Sequence, residues 1–147
     1  MFRSILIAVD GSPTAQHALQ EAIDLAHAQG ARLTILTVAP PVPTLMPVAG
    51  GDPRGIQESA EQWAAGILRN ARTSVPDDVD VHTVLRTGHA SHEVVDELRA
   101  GDYDLVVLGS RGRSATRAGI LGSVNGAVHF HTNVPMLSFP TDDEHLE

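Results

Sequence analysis

Short apolar segments recur along this chain and alternate with stretches of helical periodicity, a pattern that constrains the fold more than any other feature. Three segments, at residues 4–9, 33–38 and 105–108, consist almost entirely of aliphatic and β-branched residues. Continuous runs of this length are typical of strands covered on both faces, as in a parallel sheet flanked by helices. Polar and apolar residues partly alternate at 79–86, and a proline interrupts 134–139. Both features favour edge positions for these two strands.

Amphipathic stripes fill the intervals between the predicted strands. The first predicted helix has a signal at each end, since Ser12 can cap its start, Pro13 suits its first position and Gly30 suits its end. Trp63 belongs to the apolar stripe of the second helix, so we expect this side chain in the core rather than against a ligand. Shorter stripes mark a third and a fourth helix: Val94, Val95 and Leu98, then Val124, Ala127 and Val128.

The resulting order, βαβαβαβαβ, predicts an α/β fold: a single doubly wound domain with a five-stranded parallel sheet and helices on both faces. With the third and fifth strands at the edges, the simplest strand order is 3-2-1-4-5. Such sheets bind ligands in the crevice where the chain reverses direction, beyond the carboxyl ends of strands one and four. Asp10 and Gly109 follow these strands and are expected there. The predicted domain covers residues 1–140, with a long flexible loop at 39–55 that is either a lid or an ordinary insertion, and a tail at 141–147.

Composition narrows the functional classes. The chain has no cysteine, which excludes a disulfide framework and thiol catalysis and is typical of a cytoplasmic protein. No apolar run approaches the roughly 18 residues of a membrane-spanning helix. The net charge of −8 argues against a nucleic-acid partner. All ten cationic side chains are arginines, and the cluster of Arg111, Arg113 and Arg117 instead suggests a local site for an anion.

A glycine-rich segment follows strand four and carries the spacing Gly109-x2-Gly112-x9-Gly122-Ser123. Glycine lets the backbone turn tightly and approach a ligand closely. The last two residues are predicted to open the fourth helix, where free N–H groups favour phosphate, although Ser123 also suits a plain helix cap. The segment lacks the Gly-Lys-Ser/Thr ending of a P-loop, and no Gly-x-Gly-x-x-Gly follows strand one.

This spacing resembles the ATP-binding signature of the universal stress protein family. The first strand and turn, Ile5 to Ser12, and the run Val134-Pro135-Met136-Leu137 are similar to the two ends of that family's domain. The resemblance implies ATP as the ligand, with Mg²⁺ or Mn²⁺, and a homodimer formed through the last strand, from Val134 to Phe139. It places phosphates on the glycine loop and helix start, and adenine and ribose near the ends of strands one and two. The nucleotide-binding residues that it implies are Ala8, Asp10, Val38, Gly109, Arg111, Gly112, Gly122, Ser123 and Val124.

Several alternatives stay open at this stage. Asp10 suits ribose hydroxyls or a metal-bound water, but an Asp-Gly pair also forms turns. Arg111 would lie over the phosphates or point into solvent. His89 and His92 are one helical turn apart, but neither a third metal ligand nor a catalytic set is evident.

The resemblance favours a regulatory module of the stress response whose state depends on bound ATP and which acts on an unidentified protein partner. A slow ATPase or phosphotransferase is the second hypothesis, with Asp10 as its one candidate base. The third is a dimeric interaction module that binds no nucleotide. AMP and cyclic nucleotides are open alternatives to ATP, because the sequence does not fix the number of phosphates.

Overall fold

The computed structural model describes residues 1–41, 53–109 and 120–139. The elements in these residues are β1 (Ser4–Ala8), α1 (Pro13–Gln29), β2 (Arg32–Ala39), α2 (Pro53–Thr73), β3 (Val81–Thr87), α3 (Ala90–Ala100), β4 (Leu105–Gly109), α4 (Ile120–His131) and β5 (Met136–Phe139). All strand pairs are parallel, and the order β3-β2-β1-β4-β5 confirms the predicted α/β fold and both edge strands. None of these helices has the length and apolarity needed to cross a membrane.

The loop predicted at 39–55 is shorter than expected at both ends. β2 extends through Ala39, and α2 already begins at Pro53. Residues 42–52 of this connection lie outside the described residues, as does the predicted tail at 141–147.

β1 separates two apolar cores, because successive side chains of a strand point to opposite faces of the sheet. Ile5 and Ile7 belong to the core beneath α1 and α2, whereas Leu6 belongs to the core beneath α3 and α4. All three side chains are fully buried. Helices therefore cover both faces, as predicted, and each face carries two of them.

Both ends of α1 are capped as the sequence predicts. The Ser12 hydroxyl accepts a hydrogen bond from the Ala15 N–H at 3.2 Å, and Pro13 is the first helical residue. Gly30 ends the helix with φ of +65°, a left-handed conformation that glycine adopts without steric cost.

Both edge strands begin two residues later than predicted. The Val79 N–H donates to the Pro76 carbonyl at 3.1 Å, and this turn delays the start of β3. Pro135 has no N–H for the ladder, although its carbonyl accepts from the Val106 N–H at 2.9 Å. β5 therefore begins at the following residue, Met136.

Candidate functional site

A cavity of about 330 Å³ opens where β1 and β2 end. These strand ends and the two prolines after β2 form one part of its lining. The turn between β3 and α3, together with the first part of α3, forms another part. One residue each of α1, α2 and α4 completes the lining. Most lining side chains are apolar, and within the described part of the chain Asp10 and His89 are the titratable ones. An apolar cavity with few polar groups is typical of a small-molecule site.

Four of the nine predicted nucleotide-binding residues line this cavity. Ala8 is the last residue of β1, Asp10 follows it, and Val38 lies near the end of β2. Val124 borders the cavity from α4 and is buried. The fold thus brings three separate segments of the sequence to one place, while their contact with a nucleotide stays a prediction.

Asp10 forms the turn that leads from β1 into α1. Its Oδ1 accepts a hydrogen bond from the Ser12 N–H at 2.9 Å. The same residue lines the cavity. The turn-forming interpretation and the ligand-facing interpretation of this residue are therefore compatible.

Gly109 ends β4 against the start of α1. A Cβ atom at this position would lie 3.0 Å from the carbonyl carbon and the Cβ of Thr14 and 3.1 Å from the nitrogen of Ala15. Close packing of α1 on β4 therefore favours a glycine here, a reason that the sequence alone does not reveal. Gly109 does not line the cavity, and its contact with a ligand stays a prediction.

The other predicted phosphate-binding residues lie in or beside the segment 110–119. Arg111 and Gly112 fall outside the described residues. Gly122 and Ser123 lie in the first turn of α4, which begins at Ile120 and so earlier than predicted. Ser123 is therefore inside the helix and is not its cap. The first N–H groups of any helix lack intrahelical partners, which makes this turn suitable for an anion.

Trp63 lines the cavity, so the prediction that it belongs to the core is wrong. It is 36% exposed, whereas Ala64 and Leu68 on the same helix are 0% and 7% exposed. Because α2 runs antiparallel to the strands, its first half lies near their carboxyl ends, and its apolar stripe continues beyond the covered sheet. Helical periodicity identifies the apolar face of a helix but not the point at which the sheet beneath it ends.

The turn between β3 and α3 forms a wall that the sequence analysis missed. Gly88 and His89 line the cavity from this turn. His89 is the N-cap of α3, and its carbonyl accepts from the N–H groups of His92 at 3.0 Å and Glu93 at 2.9 Å. The rings of His89 and His92 meet edge to face, with centroids 5.9 Å apart. Over residues 1–41, 53–109 and 120–139, no group of three or more His, Cys, Asp or Glu could hold a metal ion.

An ion-pair network anchors this wall to the sheet. Arg86 in β3 donates to Glu97 Oε1 at 2.9 Å and to Glu93 Oε1 at 3.1 Å, and the Tyr103 hydroxyl donates to Glu97 Oε2 at 2.7 Å. Burial and the hydrogen bond to Glu97 raise the pKa of Tyr103 to about 12. The hydrogen bond to Glu97 is also the main reason why the pKa of Arg86 is raised. Because both glutamates belong to α3, the network holds the start of that helix beside the cavity.

Comparisons with known proteins point to one family. A family model described as the universal stress protein family matches residues 1–140. The universal stress protein YxiE of Bacillus subtilis is 32% identical over 145 residues, which cover 93% of this chain and 98% of that protein. Among solved structures, the universal stress protein UspA from Lactobacillus plantarum matches with a TM-score of 0.81 and 24% identity over 93% of this chain and 97% of its own. A universal stress protein in complex with cAMP matches with a TM-score of 0.67 and 24% identity over 96% of this chain and 99% of its own.

Proposed function

The chain belongs to the universal stress protein family, and from this premise we propose that it binds ATP in the cavity and acts as a nucleotide-dependent regulatory module. The observation that carries the proposal is the meeting of Ala8, Asp10, Val38 and Val124 around one cavity. The structural neighbour in complex with cAMP supports an adenine nucleotide as the class of ligand. The stress-response role, the protein partner and a cytoplasmic location are further proposals that rest on family membership.

The chemistry of the site suggests how the ligand is distributed over it. The apolar walls suit the base, and the Asp10 carboxylate suits the ribose hydroxyls as an acceptor. The first turn of α4 offers N–H groups and the positive end of a helix dipole to the phosphates. Mg²⁺ is usually held by one or two carboxylates together with substrate phosphates, so Asp10 fits a divalent cation as a ligand through water.

We propose binding rather than rapid turnover. Asp10 and His89 are the titratable groups among the described lining residues. Asp10 already accepts the Ser12 N–H, which opposes its use as a general base.

Nucleotide content and affinity test this proposal. The purified protein is denatured, and the released small molecules are identified by mass spectrometry. The nucleotide-free protein is then titrated with ATP and Mg²⁺ in a calorimeter, with AMP and cAMP as competitors. We expect co-purified ATP or saturable binding of added ATP. If the protein carries no nucleotide and binds none, the proposal fails and a dimeric module without nucleotide is the better description.

A matched pair of variants locates the ligand. Asp10→Asn removes the charge but keeps an oxygen that accepts from Ser12, and we expect binding about tenfold weaker, the scale of one lost charge-assisted hydrogen bond. Asp78→Asn makes the same change next to His27, before β3 and so at the opposite end of the sheet, and should leave the affinity unchanged. Equal affinities in both variants would place the ligand elsewhere.

We also propose a homodimer formed through β5. This strand lies at the edge of the sheet. Leu137 in β5 is 40% exposed, so this edge carries apolar surface. An edge strand is a template for pairing with a second strand. Light scattering should give the mass of two chains, and Leu137→Glu should give the mass of one. A monomeric wild-type protein would contradict the dimer.

A further inference from the structure

Trp63 is the single tryptophan of the chain, and it borders the cavity instead of joining either apolar core. More than a third of it is exposed. A tryptophan side chain buries roughly 150–250 Å² when it is covered. A ligand in the cavity would cover part of this surface, and the resulting burial would contribute to affinity.

The surroundings of Trp63 suit a flat ring of low polarity. Pro40 and Pro41 line the same cavity, and Leu36 and Val38 contribute aliphatic side chains from β2. Proline has no N–H, so these two residues offer packing surface and no donor for a phosphate group. Aromatic rings bury large faces against such surfaces, and tryptophan presents the largest ring of any side chain.

From this arrangement we infer that Trp63 is a specificity-determining residue that packs against the base of the bound nucleotide and favours purines over pyrimidines. The inference rests on the proposed function and adds the group that recognises the base. Contact between a base and an aromatic side chain changes affinity by about tenfold or more. A purine presents two fused rings to the indole and a pyrimidine only one, so the larger contact favours the purine.

Intrinsic fluorescence tests the inference directly, because Trp63 is the only tryptophan and emission excited at wavelengths that the single tyrosine does not absorb reports on it alone. Saturating ATP or adenosine should change the emission. Inorganic triphosphate, which has no base, should leave the emission unchanged even where calorimetry detects its binding. CTP should bind more weakly than ATP, but by less than the loss expected when the ring of Trp63 is removed.

Two substitutions of Trp63 and one control variant distinguish the contribution of the aromatic ring to affinity from that of an apolar side chain. Trp63→Leu keeps an apolar side chain without a ring and should weaken ATP binding about tenfold, with no effect on inorganic triphosphate. Trp63→Phe keeps a smaller ring and should give an intermediate affinity. Ile56→Ala removes another exposed apolar side chain of α2, one that does not line the cavity, and should bind ATP as the wild type does. Circular dichroism checks the fold of each variant.

The outcomes distinguish this inference from the proposed function. If wild type and Trp63→Leu bind ATP equally well and ATP leaves the emission of the wild type unchanged, the inference is wrong and the proposed function stands. If ATP does not bind but adenosine saturably changes the emission, the base contact is correct and the phosphate site is wrong. If neither ligand binds, both proposals fail.

Discussion

Replacing Gly109 with alanine separates a packing requirement from a ligand requirement at this position. The added methyl group would meet three atoms of α1 at 3.0–3.1 Å, against about 3.5–4.0 Å for a relaxed contact between heavy atoms. Two of these atoms belong to the backbone, and both Thr14 and Ala15 are buried. No side-chain rotation can relieve those contacts, so α1 must shift away from β4.

The expected cost follows from the size of this overlap. Forcing a methyl group into a well-packed interior costs about 1–3 kcal/mol. For Gly109→Ala we expect a loss of about 2 kcal/mol in the free energy of unfolding, which lowers the urea midpoint by about 1 M at an m value of about 2 kcal/mol/M. Urea unfolding is followed by circular dichroism at one protein concentration and without nucleotide, so that no ligand contributes.

Gly126 provides the matched control. It lies inside α4, and among the described residues a Cβ atom added there would meet nothing within 4 Å outside the neighbouring turns of its own helix. Gly126→Ala should therefore raise the free energy of unfolding by about 1 kcal/mol through helix propensity alone. A midpoint for Gly109→Ala at or above that of the wild type, together with weaker ATP binding, would refute the packing argument and assign this glycine to the ligand.

Two further substitutions test the described contacts. Ser12→Ala removes the cap of α1 and should lower the free energy of unfolding, measured in a thermal melt, by about 1 kcal/mol. Ser12→Thr keeps the hydroxyl and should lower it by less. Equal losses in the two variants would contradict a capping role. The pKa of Tyr103 is raised to about 12 in the folded chain, from about 10 when the chain is unfolded. The neutral phenol therefore stabilises the folded chain fully below about pH 10, and this contribution is lost as the pH rises from about 10 to about 12. Tyr103→Phe should remove this part of the pH dependence of stability. At neutral pH it should lower the free energy of unfolding by about 1–2 kcal/mol, because the hydrogen bond to Glu97 is lost. If the variant still loses stability between about pH 10 and about pH 12 as the wild type does, other groups cause the loss.

The strand order was predictable because the residue composition of a strand depends on how many of its faces are buried. β1, β2 and β4 are covered on both faces and consist mostly of aliphatic and β-branched residues, whereas β3 carries polar residues and a proline directly precedes β5. Topology predicted a crevice beyond the ends of β1 and β4, whereas the described cavity opens where β1 and β2 end and Gly109 does not line it. Asp10 followed from the topology, whereas Val38 followed only from the family resemblance.

The residues that line the walls of the cavity were harder to predict, because they depend on how far each helix extends over the sheet and on contacts between helices and strands. The position of Trp63 depends on where the sheet ends beneath α2, which no periodicity records. His89 borders the cavity because ion pairs from Arg86 to Glu93 and Glu97 fix the start of α3. Spacing along the chain did not reveal that these three charges meet. For Gly109, the motif suggested a ligand while the neighbouring helix supplied a second reason for glycine.

The separation of the two cores by β1 has a consequence for a partly synthesised or truncated polypeptide. Once synthesis has passed Thr87, the pairs between β1 and β2 and between β2 and β3 can form, and α1 and α2 can cover one face of these strands. The opposite face, with Leu6 and Leu36, is covered by α3 and α4, both of which leave the ribosome later. A chain that stalls or is cleaved between β3 and α3 therefore exposes an apolar sheet face, the kind of surface that chaperones bind and that drives aggregation. Quality control of this protein should consequently act on truncated chains, which lack two strands of the sheet as well as the two helices that cover this face.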